Sequence, residues 1–157
     1  MDTALQDVAR LGAFRPPRIY LTAIVTGVLI QQFAPLSFVP GAFAVPVGAS
    51  LVVIAIALLA WSVAKFRAAG TPVPAREPTT AIVRTGPYRF SRNPIYLAYS
   101  LFQLGLAIWI DSGWLLATLA AAVSLIHHLV IPKEELYLER RFGAEYLAYK
   151  RAVRRWL

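Results

Sequence analysis

Four stretches of the chain are almost wholly apolar, and polar, mostly basic segments separate them. They cover residues 19–34, 47–66, 95–110 and 114–131. Each approaches the ~20 residues that carry a helix across a hydrocarbon core about 30 Å thick. The shorter ones would need snorkelling Arg and Lys ends, local bilayer thinning or contacts with another copy. The third and fourth are joined by the tight polar turn Asp111-Ser112-Gly113, so they form a hairpin that returns to the side it left. The pattern predicts an all-α integral membrane helical bundle of four transmembrane helices. A C-terminal cytoplasmic helical segment follows at 133–157, and the whole of 1–157 is expected to be one domain.

Composition fixes the solvent. Hydrophobic residues make up 58% of the chain, charged residues 15%, and mean hydropathy is +0.57, far from a soluble domain. A net charge of +8 could suggest nucleic acid, but the placement of the charge argues against it. All 16 Lys and Arg residues lie in segments 1–18, 65–93 and 132–157, and none in connections 34–46 or 111–113. By the positive-inside rule both termini and the central loop are cytoplasmic, and the expected location is the inner membrane of a bacterium. Cysteine is absent, which excludes disulfides, thiolate metal sites and a Cys nucleophile.

Two polar signatures flank the hairpin. The first is Gly86-Pro87-Tyr88-Arg89 running on to Ser91-Arg92-Asn93-Pro94-Ile95-Tyr96; the second is Glu134-Glu135 leading to Phe142-Gly143 and Tyr146. Asn93-Pro94 reads as an N-cap with proline at the first helical position. The free N–H groups and dipole of that turn suit an anion, with Arg89 and Arg92 beside it. The same arginines and tyrosines also fit an ordinary interfacial belt. In a helix continuing past Pro132, Glu135 shares a face with Leu138, Phe142, Tyr146 and Tyr149, until Gly143 ends or turns it. Arg141 and Glu145 are spaced to pair on the solvated side. Gln31 and Gln32 read as interfacial, and proline-rich 68–84 as a loop ordered by its packing. Ala42-Phe43-Ala44 follows too long and too broken a segment for a signal-peptidase site. His127 and His128, adjacent on a helix, cannot share one ion, so no metal is expected.

From Thr85 to Trp156 the chain resembles the isoprenylcysteine carboxyl methyltransferase and phospholipid methyltransferase superfamily of membrane enzymes. The markers are Gly-Pro-Tyr at 86–88, Arg-x-Pro-x-Tyr at 92–96, the glutamate pair and Phe-Gly-x-x-Tyr-x-x-Tyr at 142–149. The resemblance implies methyl transfer from S-adenosylmethionine at the cytoplasmic membrane face to a lipid-soluble acceptor entering from the bilayer. It implies Tyr88, Arg89, Asn93, Pro94, Tyr96, Leu97, Glu134 and Tyr146 on the cofactor side, with Arg92 and Glu135 nearer the acceptor. A carboxylate acceptor, as in an isoprenylcysteine, needs no general base; a phospholipid amine does, and Glu135 is then the candidate. Family members of the isoprenylcysteine type carry His at 93, Gly at 98, Pro at 154 and Arg at 130, where this chain has Asn93, Ala98, Arg154 and Val130. These departures bear on the acceptor more than on the cofactor. The competing class is a membrane interaction protein that keeps the fold without catalysis.

Overall fold

The structure, a computed structural model, describes residues 16–39, 41–71 and 79–157. The basic N-terminal segment up to Arg15 and the prolines of the central loop, Pro72, Pro74 and Pro78, lie outside the described residues. The elements are α1 (Pro16–Phe33), α2 (Gly41–Ala68), a 3₁₀ turn (Gly86–Arg89), α3 (Pro94–Trp109), α4 (Gly113–Leu125), a π-helical segment (Ile126–Val130), α5 (Ile131–Phe142) and α6 (Ala144–Ala152). Among the described residues there is no strand.

This is an all-helical membrane bundle. Two helical stretches, Gly41–Ala68 and Gly113–Phe142, are long and apolar enough to cross a membrane, and α3 is a shorter apolar helix. On α1 the side chains Leu21, Val25, Leu29 and Phe33 are all exposed, one helical turn apart. Val53, Ile54, Ile56 and Trp61 do the same on α2. Such continuous apolar surface is stable against lipid and costly against water.

Neighbouring helices run antiparallel and approach closely at glycines. A Cβ at Gly48 of α2 would lie 2.5 Å from the Trp109 nitrogen of α3, and one at Gly105 of α3 would lie 2.9 Å from the Gly48 carbonyl. The two backbones therefore touch. At Gly27 of α1 a Cβ would lie 2.9 Å from Thr118 Oγ1 on α4. Hydrocarbon supplies no hydrophobic drive between spans, so close backbone contact of this kind is what holds them.

Helix α2 begins before the predicted boundary at 47 and takes Pro46 within its second turn. The fourth stretch does not stop at Ile131. It continues through the π segment, where the Ile131 N–H donates to the Ile126 carbonyl five residues back, into polar α5. Pro132 has no N–H to donate, and the wider turn accommodates that break.

The connections 34–39 and 111–113 close one end together. Asp111 adopts φ 50, and its Oδ1 accepts the Phe38 and Val39 N–H groups at 2.6 and 2.7 Å. Gln31 is not a bystander at the interface. Its Nε2 donates to the Asp111 carbonyl at 3.3 Å, and its Oε1 accepts from Leu36 N and Ser112 Oγ. These bonds tie the two connections to each other and satisfy their turn groups within the protein. Both polar signatures gather at the opposite end.

Candidate active site

The first signature is pinned against α2. Gly86 has φ 63, and a Cβ there would meet Lys65 Cγ at 2.9 Å and Trp61 Nε1 at 3.1 Å, so both backbone and space require glycine. The turn it makes buries Tyr88 edge-on to Phe66, ring centres 5.1 Å apart. The Tyr88 carbonyl accepts the Tyr149 hydroxyl at 2.8 Å, tying the first signature to α6. Arg89 is exposed and lines an open groove of about 320 Å³ with Arg84, Ala148, Tyr149, Ala152 and Val153.

Pro94 is the first residue of α3, as expected, but Asn93 is no side-chain cap. Its Nδ2 donates instead to the Arg155 carbonyl at 2.9 Å, a tertiary bond in place of a local one. The first turn of α3 is left without a side-chain cap. Leu97 is partly buried in that turn, its N–H donating to the Asn93 carbonyl.

The second signature supplies two carboxyls with different surroundings. Glu134 accepts the Tyr96 hydroxyl at 2.6 Å and forms no ion pair among the described residues. Glu135, 6% exposed, is the hub of an ion cluster. Arg155 grips both its oxygens, at 3.0 and 2.8 Å, Arg92 Nη2 lies at 3.1 Å, and Lys150 at 3.6 Å. Lys150 also pairs with Glu139. Three cations around one carboxylate favour its charged form. Glu135 is thus not the carboxylate of raised basicity, set in apolar surroundings, that an amine acceptor would require.

The Arg92 side chain is 9% exposed, yet its Nε and Nη1 are buried and have no hydrogen-bond partner. A guanidinium suits carboxylate or phosphate, so these two nitrogens hold unused capacity for an anion. Tyr146 lies buried next to the cluster. Burial pushes its phenol up to about 12, with the Glu135 charge adding to the rise. Burial likewise raises Tyr149, and Tyr146 beside it adds. The hydrogen bonds to Glu135 hold the Arg155 guanidinium above its usual value.

Gly143, at φ 52, ends α5 and starts α6. The face shared by Glu135, Leu138, Phe142, Tyr146 and Tyr149 is therefore built from two helices at an angle, with Glu135, Tyr146 and Tyr149 buried. Glu145 does not pair with Arg141. It meets Arg84 at 3.0 Å, while the Arg141 guanidinium lies over the Phe142 ring. His127 Nδ1 accepts the Trp156 indole N–H at 3.1 Å, and no metal-ligand cluster occurs among the described residues.

Arg155, Lys150, Trp156 and His127 complete the cluster, and the sequence reading missed all four as site residues. Nothing in their local spacing marks them. Arg155 reaches Glu135 across 20 residues and Asn93 across 62, and only the folded chain brings them together.

A Haemophilus influenzae protein described as uncharacterized is 36% identical over 63 residues, which are 40% of this chain and the whole of that protein. The nickel-cobalt-cadmium resistance protein NccN of Alcaligenes xylosoxydans xylosoxydans is 38% identical over 64 residues, 41% of this chain and 30% of that protein. No solved structure matches. The profile of the phospholipid methyltransferase family matches residues 43–145, spanning α2, both signatures up to Glu145 and the hairpin between them, and the chain belongs to that family.

Proposed function

We propose that the protein is an S-adenosylmethionine-dependent methyltransferase of the bacterial inner membrane, acting at its cytoplasmic face on the carboxylate of a lipid-soluble, isoprenylcysteine-like acceptor. The observation that carries the choice of acceptor is the pair of buried, unpartnered nitrogens of Arg92, Nε and Nη1, beside a Glu135 already neutralised by cations. An anionic group of the acceptor satisfies them, and in a carboxylate acceptor that group is the reacting one, whereas a phospholipid's phosphate would bind there away from its reacting amine.

The residues at this end also fit the cofactor. Glu134, without an ion-pair partner, suits its ammonium group, the uncapped first turn of α3 suits its carboxylate, and Tyr88, Tyr96 and Tyr146 offer aromatic faces to a sulfonium. When bound, S-adenosylmethionine supplies a methyl group already activated for displacement. The chain's own task is then alignment and exclusion of water. Arg92 orients the acceptor carboxylate, Glu135 with Arg155 holds Arg92 in place, and Tyr96 fixes Glu134. Holding both reactants in line can supply much of the rate enhancement, and no side chain has to take a proton. Asn93, Pro94 and Leu97 stand at the head of α3 next to Arg92, Asn93 bonded to the C-terminal residues, and Arg89 meets the cofactor from the groove it lines with Tyr149.

A second reading, N-methylation of a phospholipid amine, draws on the family's description. Glu134, free of cations, would be its proton acceptor. Incubating the detergent-purified protein with methyl-labelled cofactor and membrane extract tests both readings. Alkali-labile label in a lipid product supports the carboxylate acceptor, and alkali-stable label on a phospholipid amine supports the second reading. Absence of saturable cofactor binding would leave a non-enzymatic interaction protein.

A further inference from the structure

We propose that the last five residues, 153–157, form a strap that positions the acceptor site, and that Arg155 is its positioning residue. By taking both oxygens of Glu135, Arg155 limits Arg92 to a single contact through Nη2 and leaves its Nε and Nη1 for an anionic acceptor group. The acceptor's identity as a lipid carboxylate rests on the function proposed above. The strap lies outside the stretch that matches the family, which ends at residue 145.

The strap is stitched to every part of the site. After α6 ends, Val153 turns to extended backbone. Three donors of the first signature then bind two consecutive carbonyls. Arg92 N donates to the Arg154 carbonyl at 3.0 Å, and Asn93 Nδ2 and Ser91 Oγ donate to the Arg155 carbonyl at 2.9 and 3.4 Å. Trp156 anchors the far side: its indole donates to His127 Nδ1, and the two rings stack at an interplanar angle of 16°. Arg155 Nη1 lies 3.5 Å from the other ring nitrogen, Nε2. The π segment that holds His127 is thereby coupled to the strap.

Two guanidiniums compete for one buried carboxylate. Arg155 makes the bidentate contact, 3.0 and 2.8 Å, and Arg92 is left a single contact through Nη2 at 3.1 Å. A fork-to-fork pair is the stronger arrangement. Were Arg155 absent, Glu135 would be free to draw a full fork of Arg92 onto itself, through Nη2 and one of the two nitrogens that now have no partner. The remaining cation, Lys150, is shared with Glu139 and cannot replace a planar fork. The arrangement separates two roles: Arg155 neutralises Glu135, and Arg92 is reserved for the ligand.

The test uses the full chain in detergent with N-acetyl-S-farnesylcysteine as probe and its methyl ester as the uncharged control. Equilibrium binding of each is measured alongside acceptor and cofactor KM for the native protein, R155A, R155K and W156F. R155A is expected to weaken probe binding and raise acceptor KM by about 10-fold or more, with cofactor KM changed by less than about 2-fold, the cost of a displaced charge-assisted contact. R155K keeps the charge without the fork and should fall between R155A and the native protein. W156F keeps the stacked ring without the N–H and should shift binding in the same direction by a smaller factor. Ester binding should stay unchanged throughout. Native probe binding in R155A, or equal loss of probe and ester binding in a folded R155K, overturns the positioning role. If the native protein methylates no lipid carboxylate while probe binding still drops in R155A, the proposed reaction fails and the positioning role stands. If methylation proceeds and R155A matches the native protein, the reaction stands and the positioning role fails.

Discussion

At the end of the bundle closed by residues 34–39 and 111–113, polar side chains meet backbone groups and amides. Asp111, Gln31 and Ser112 bind the turns, and the Trp114 indole donates to the Ala34 carbonyl at 2.7 Å. At the opposite end, charged side chains meet one another, and Arg92 keeps two buried nitrogens without partners. The first end meets its turn groups from within the protein. The second holds unsatisfied capacity in a place where an unpaired group costs about 1–3 kcal/mol, which is where a ligand has something to gain. Internal pairing marks the structural end and unused capacity marks the chemical one.

Substitutions should separate these ends by which property they change. The largest effect is expected from R92A, which leaves Glu135 its other cations but removes the acceptor contact. A loss of about 2–5 kcal/mol, roughly 30-fold or more in kcat/KM, is typical for truncating a buried charged partner. Methyl-transfer kinetics with a thermal melt beside them check it, and unaltered kcat/KM would remove the functional distinction between the ends. G48A comes next and should do the reverse. Its Cβ would meet Trp109 backbone, which cannot swing aside, so overpacking of about 1–3 kcal/mol outweighs the gain of about 1 kcal/mol in helix propensity. A lower Tm with KM values near native is the expected outcome.

Tyr96→Phe sharpens the comparison within the chemical end. It removes the hydroxyl that Glu134 accepts at 2.6 Å, a charge-assisted bond worth about 1.5–3 kcal/mol. The expected change is a rise in cofactor KM with acceptor KM held, read by varying each substrate in turn. The smallest effect belongs to D111N. Backbone hydrogen bonds from Phe38 and Val39 hold the Asp111 carboxyl below its usual value. Its stabilisation is therefore complete above the unfolded value near about 4 and drains away as pH falls through the folded value. Asn tolerates the left-handed backbone at 111 but carries no charge. The Tm gap between native protein and D111N should accordingly narrow on acidification from about pH 6 to about pH 3, and a gap that widens would contradict it.

Legibility in the sequence followed the range of the interaction. The helical stretches, the turn at 111–113, Pro94 at the head of α3 and the break at Gly143 all follow from hydropathy and from residues that restrict their own backbone. The meeting of the two signatures was legible for the same reason, since a hairpin with a short turn must return to its starting side. Local rules failed where a tertiary partner outcompeted them. Asn93 gave up its cap for the Arg155 carbonyl, Glu145 took Arg84 over Arg141, and Gln31 bound a turn 80 residues away. In each case a group that could have been satisfied nearby, or by water, took a partner that packing brought within reach from a distant segment.

By itself, the sequence determined the solvent, the helices and the gathering of two polar signatures at one end, because hydropathy, charge placement and proline or glycine act locally. Only the tertiary structure decided how charge is shared there. It assigned Glu135 to Arg155, left Arg92 Nε and Nη1 unpartnered, and tied Trp156 to His127. Which cation wins a carboxylate depends on distances of a few tenths of an ångström between segments far apart in the chain, and those distances exist only once the helices have packed.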